Sequence, residues 1–169
     1  ARYFENYLQE SEILEWAKHK EAKALFGGAH RFLKNMKKDV ELYVDFNNAK
    51  ANNGELNVDL QFKRRFFKDV SQHYPLLLAA SNLEIHKFEQ VAQSIMAISI
   101  TLSGTNTGWV TIESNLMNWI KKLREGQLES YIDESQIDEN SGEPVVIKGY
   151  LEEVAELLET KKKLLSAAL

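Results

Sequence analysis

The stretch Leu83-Glu84-Ile85-His86-Lys87-Phe88-Glu89-Gln90-Val91-Ala92-Gln93-Ser94-Ile95-Met96-Ala97-Ile98-Ser99-Ile100-Thr101-Leu102 decides the fold. Ile85, Phe88, Val91, Ala92, Ile95, Met96, Ser99 and Leu102 recur at the three- and four-residue spacing of one helix face. Ile98 and Ile100 widen that face into a broad apolar arc. A helix apolar over so much of its circumference is expected at the centre of a bundle, where other helices meet it on several sides.

Working upstream, Pro75 suits the first turn of a helix, where its missing N–H has no partner to lose, so a short buried helix is expected over 75–80. A further helix is expected over 58–73, with Leu60, Phe67, Val70 and Tyr74 on one side and Phe62 and Phe66 beside them. Strand is the alternative over 55–62, where Leu56, Val58, Leu60 and Phe62 alternate. The clearest periodicity lies before it: Ala29, Phe32, Leu33, Met36, Val40, Tyr43 and Val44 form one stripe, ending at Asn47-Asn48 and the turn Asn52-Asn53-Gly54. Over 2–26 an imperfect stripe of Phe4, Tyr7, Leu8, Leu14, Ala17, Leu25 and Phe26 predicts one helix, or two broken near Ser11, stopped by Gly27-Gly28.

Downstream, 103–108 reads as a loop, with Thr111 the expected N-cap of a helix that turns Ile112, Leu116, Trp119, Ile120 and Leu123 inward and closes at Gly126. A helix is expected around 127–137, then a polar turn over 139–144. The last helix aligns Ile147, Tyr150, Leu151, Val154, Leu157, Leu158 and Leu165. The expectation is an all-α fold: one domain over 1–169, a bundle of six to eight helices.

Composition agrees with an ordinary globular chain. Of 169 residues, 44% are hydrophobic and 27% charged. The absence of cysteine excludes disulfides, thiolate nucleophiles and thiolate metal sites, and fits a reducing compartment. Ala1-Arg2-Tyr3-Phe4-Glu5 does not begin a secretory signal, and the longest apolar run, over 74–80, is far short of the ~20 residues of a membrane span. A cytoplasmic protein without membrane contact is expected. The formal charge of −4 is uneven, because acids outnumber bases ten to four over 127–169 while bases lead slightly over 1–70.

Compact catalytic motifs are missing. His19, His30, His73 and His86 are far apart, and Glu15 with His19 at i, i+4 reads first as a solvated contact and only second as two metal ligands. Asp138, Asn140 and Gly142 suggest a calcium loop, but the required glycine and bidentate acid fall on Glu143 and Gly149. Neither glycine cluster matches a phosphate-binding loop, and no serine sits in a nucleophile elbow. No cofactor or metal is implied.

Two features point to recognition. Lys34, Lys37 and Lys38, with Lys63, Arg64, Arg65 and Lys68, would form one basic surface for phosphates or an acidic partner if their helices pack side by side, and ordinary solvated faces if not. Phe66-Phe67 beside them reads as core in preference to a base-stacking platform. Trp119 is in phase with its helix and expected inside, whereas Trp16 and Trp109 are out of phase and are candidates for an interface.

Phe32-Leu33-Lys34-Asn35-Met36, continuing to Tyr43, and Phe66-Phe67-Lys68-Asp69-Val70-Ser71-Gln72-His73-Tyr74-Pro75-Leu76-Leu77-Leu78-Ala79-Ala80 carry a resemblance. Over about 29–125 the chain is similar to the helical segment between the ParB-like and HNH nuclease domains of GmrSD-type modification-dependent restriction proteins. The family's Asp-Gly-Gln-Gln-Arg-like stretch and His-Asn-His arrangement are absent, so no catalytic residue carries over. The resemblance implies a part that links, orients or recognises instead of cutting. The functional expectation is therefore a non-enzymatic helical interaction module whose partner is another protein or domain, or nucleic acid through the first-half basic residues. An enzyme with a site dispersed over the bundle and a small-ligand regulatory domain are the alternatives.

Overall fold

Helix α1, Ala29–Asn47, begins where the 29–47 periodicity begins and ends where two asparagines interrupt it. The computed structural model describes residues 29–67, 71–105, 107–137 and 143–168. The helices expected over 2–26, together with Glu15, Trp16, His19 and Lys68, lie outside them. Two compact units divide the chain, Ala1–Val44 and Asp45–Leu169, and α1 carries it from the first into the second.

After α1 the order is α2 (Val58–Phe66), α3 (Tyr74–Ala80), α4 (Ile85–Gly104), a 3-10 turn (Trp109–Ile112), α5 (Glu113–Arg124), β1 (Tyr131–Ile137), β2 (Pro144–Ile147) and α6 (Tyr150–Ala168). The fold is all-α, with six α-helices among the described residues. Within the second unit α4 is central, as its broad apolar arc implies, and it meets α2, α3 and α6. Phe88, Val91, Ala92, Ile95, Ile98, Ser99 and Leu102 are buried along it, whereas Ile85 at its start and Ile100 stay exposed. Leu76, Leu77, Ala79 and Ala80 of α3 and Trp119, Ile120 and Leu123 of α5 complete the core. Each large side chain hidden this way contributes roughly 1.5–3 kcal/mol.

Local chemistry explains the boundaries. Asn57 caps α2, its side-chain oxygen accepting the Leu60 N–H at 3.0 Å. At the end of α5, Gly126 at φ 73° lets Gln127 N–H reach back to the Lys122 carbonyl at 2.8 Å, the left-handed closure that favours glycine. At the start of α6 the Tyr150 and Leu151 N–H groups donate to the Gln127 and Leu128 carbonyls, both at 3.0 Å, so the chain leaving α5 satisfies the first turn of α6.

Three expectations are corrected. Residues 131–137 form a strand, paired antiparallel with Pro144–Ile147 in the register Tyr131↔Ile147, Ile132↔Val146 and Asp133↔Val145. Their β-branched and aromatic side chains suit a pleated pair, which periodicity within 127–137 alone does not reveal. Helix α2 stops at Phe66 and does not run on to His73, and the strand alternative over 55–62 survives only as the single bridge Lys50↔Leu56. Thr111 lies inside the 3-10 turn, where its hydroxyl donates to the Gly108 carbonyl at 2.8 Å, and Ile112 holds the cap position of α5. The stripe on α1 is present and exposed: Leu33, Met36, Val40, Tyr43 and Val44 keep between 43% and 56% of their surface open.

Candidate functional site

The loop between α1 and α2 folds back on itself. Ala49 takes φ 60°, a left-handed conformation that costs about 1–2 kcal/mol for a residue with a Cβ. Flanking bonds hold it there: Lys50 N–H donates to the Asp45 carbonyl at 2.9 Å, and Asn57 N–H donates to the Ala49 carbonyl at 2.8 Å. Asn52 ties the loop to the α3–α4 turn by donating to the carbonyls of Ser81 at 3.2 Å and Leu83 at 2.7 Å. These anchors fix where α2 starts and therefore which way its side chains point.

Leu60 and Lys63 of α2 are buried, and the opposite side of the helix faces out. Val58 is 78% exposed, Phe62 45% and Phe66 57%. Phe62 and Phe66, one turn apart, lie 4.3 Å between ring centroids at 36°, and the Arg65 guanidinium sits 5.7 Å from the Phe66 centroid. Beside them an open groove of about 430 Å3 is lined by Asn48, Ala49, Leu56, Gln61, Arg64 and Arg65. Among the described residues no carboxylate pairs with Arg64 or Arg65, whereas nearby Lys50 is paired with Asp45 at 3.0 Å.

The basic residues singled out from the sequence thus fall into distinct groups. Lys34, Lys37 and Lys38 are exposed on α1, in the first unit, with Lys37 3.9 Å from Glu41. Arg64 and Arg65 are exposed on α2, in the second. Lys63 is not a surface residue: only 4% of it is exposed, and its ammonium lies over the Tyr74 ring, 5.5 Å from the centroid. The helical turn places it on the inward face with Leu60, three positions away. Trp109 is likewise corrected. It is buried, 6.2 Å from the His73 ring, because the 3-10 turn ahead of α5 rolls it inward at a phase that α-helical spacing does not describe. Phe66, read as core, is exposed, since it lies one turn after Phe62 on the side of α2 away from Leu60 and Lys63.

Burial lowers the Lys63 ammonium from the ordinary 10.5 to about 8. Between those values the unfolded chain binds more protons than the folded one, so stability rises with pH across the window and is lost as pH falls toward 8. Wild type is expected to gain about 2 kcal/mol relative to Lys63→Met between pH 8 and pH 10, read from urea unfolding of both proteins. A constant difference would show that the ammonium is solvated.

Among the described residues no helix is long and apolar enough to cross a membrane, and no three His, Asp or Glu side chains are grouped to hold a metal ion. The fold and its surfaces define a helical bundle with two exposed faces, an apolar one on α1 and a basic-aromatic one on α2. No family model, no curated protein and no solved structure matches the chain.

Proposed function

We propose that this chain is a helical interaction module that binds a protein partner through the apolar face of α1. The exposed stripe of Leu33, Met36, Val40, Tyr43 and Val44 carries the reading. Scattered apolar side chains on a surface are ordinary, but five on one face of one helix make a contiguous strip. The opposite face carries Arg31, Lys34 and Lys38, which keep the helix solvated and leave the strip as the docking edge. A partner that suits it presents an apolar groove or a second amphipathic helix, with anchors read at i, i+3, i+4 and i+7. In this reading the likeness to the helical segment of GmrSD-type restriction proteins makes the chain a part that recognises or links.

Photo-crosslinking tests it. A benzophenone side chain at Val40 is expected to yield a discrete protein adduct in cells that the same group at Asn35, on the polar face, does not. Leu33→Glu with Val44→Glu should abolish that adduct while changing stability by no more than about 0.5 kcal/mol each, as expected for exposed positions. Equal adduct patterns from Val40 and Asn35 would overturn the reading. Light scattering on the purified protein separates a second copy from a different partner.

A further inference from the structure

The outward face of α2 combines two features. Phe62 and Phe66 are exposed, and the two guanidinium groups beside them lack carboxylate partners among the described residues. Helical spacing puts Arg64 and Gln61 on the groove side, Phe62 and Phe66 on the other side, and Arg65 between them. Asp45 is paired with Lys50, and Glu55 accepts from the Asn53 amide at 3.0 Å, while Asp59 of the same helix, with Glu89 near it, lies away from the groove on the phenylalanine side.

We propose that this face binds single-stranded nucleic acid, with Arg64 and Arg65 holding backbone phosphates in the groove and Phe62 and Phe66 stacking on unpaired bases. Guanidinium is always charged and matches the oxygens of phosphate with a planar fork of donors, and the Asn48 and Gln61 amides add neutral donors at the same wall. Leu56 offers an apolar contact that suits a sugar. The aromatic pair sets the strandedness. Bases inside a duplex are stacked on each other and have no face to offer, whereas an unpaired base gains from lying on an exposed ring. An acidic peptide would use the arginines and leave the phenylalanines idle.

Geometry and charge also set the scale. Nine residues of helix span about 13 Å, room for about two nucleotides. Two phosphate contacts give a salt slope of about −1.4 in log K against log salt, shallow compared with a protein wrapped along a duplex. The net charge of −4 opposes any wider footprint, so binding is local and strongest at low salt.

The test is fluorescence anisotropy of labelled oligothymidylate, ten nucleotides long, with the full chain, beginning at 50 mM salt. Oligothymidylate is expected to bind at least about ten times more tightly than a duplex of equal length. Phe62→Ala with Phe66→Ala should weaken it about tenfold or more, and Arg64→Gln with Arg65→Gln should do the same and flatten the salt slope. All four side chains are exposed, so circular dichroism should be unchanged, and replacing Lys34, Lys37 and Lys38 by Gln should leave binding within about twofold. The inference is overturned by absence of binding at 50 mM salt, by equal binding of duplex with no effect of the phenylalanine changes, or by tighter binding of an oligoglutamate peptide. Leu33→Glu and Val44→Glu act on α1 alone, so this result is independent of the protein-partner reading.

Discussion

Trp119→Ala is expected to destabilise the second unit by about 3–5 kcal/mol, enough to leave much of the protein unfolded if its total stability lies in the usual range of about 5–15 kcal/mol. Trp119 is fully buried on α5, and its ring meets the edge of Tyr150 at 5.7 Å and 89°. Tyr150 is itself fully buried at the start of α6, and its hydroxyl shares a 2.5 Å hydrogen bond with the Ser94 hydroxyl on α4. The indole of α5 thus packs on a tyrosine of α6 that is itself tied to α4. Removing the indole forfeits the transfer free energy of the ring and leaves a cavity in the core that packing around it fills only in part. Urea unfolding should show the midpoint fall while the slope stays constant, and Trp119→Phe should recover part of the loss. A cost below about 1 kcal/mol would mean that the ring is not packed in the core.

Gly149→Ala is the second large effect, expected at about 3 kcal/mol and greater than the average for a surface-loop change. A Cβ at position 149 would lie 2.2 Å from the Glu129 carbonyl carbon, 2.5 Å from its oxygen and 2.6 Å from the Leu128 oxygen. These are backbone atoms, so no rotamer change relieves the overlap. The strands must separate at the base of the β1–β2 hairpin, taking with them the bonds from Tyr150 and Leu151 to the Gln127 and Leu128 carbonyls and from Gly149 N–H to the Ser130 hydroxyl at 2.9 Å. Hydrogen exchange should show protection lost at Tyr150 and Leu151 first, with α4 less affected. Unchanged protection at those two amides would refute the close crossing.

A polar pair sits beside that crossing. The Lys122 ammonium is mostly buried, 2.8 Å from the Glu153 carboxylate, and also donates to the Lys148 carbonyl. Asn118 donates to the same carboxylate at 2.9 Å. The lysine therefore joins α5, the strand exit and α6 through one charged group, and an apolar-stripe reading of α5 passes over it.

How much of this was legible in the sequence depends on the range of the interaction responsible. Helices α1, α3, α4 and α5 could be read because their cause is local: apolar spacing, a proline at the first turn, a glycine at the end. The central position of α4 was legible too, since an arc that wide has no stable exposed arrangement. The β1–β2 pair was not, because Tyr131, Ile132 and Ile137 become a strand only when 144–147 returns to pair with them. Phase also misled where the chain leaves the α-helical period, as at Trp109, and Phe66 was misplaced because periodicity does not say which side of α2 is covered.

The sequence by itself determined that the chain is helical, which helix lies at the centre of the second unit, and that no compact catalytic motif is present. Only the tertiary structure decided which amphipathic faces are covered. Periodicity shows that α1 and α2 each have an apolar side, but a side is inward or outward only relative to what packs on it. Lys63 is buried beneath Tyr74, whereas the stripe of α1 and the Phe62–Phe66 pair are exposed, and the candidate surfaces follow from these exposures.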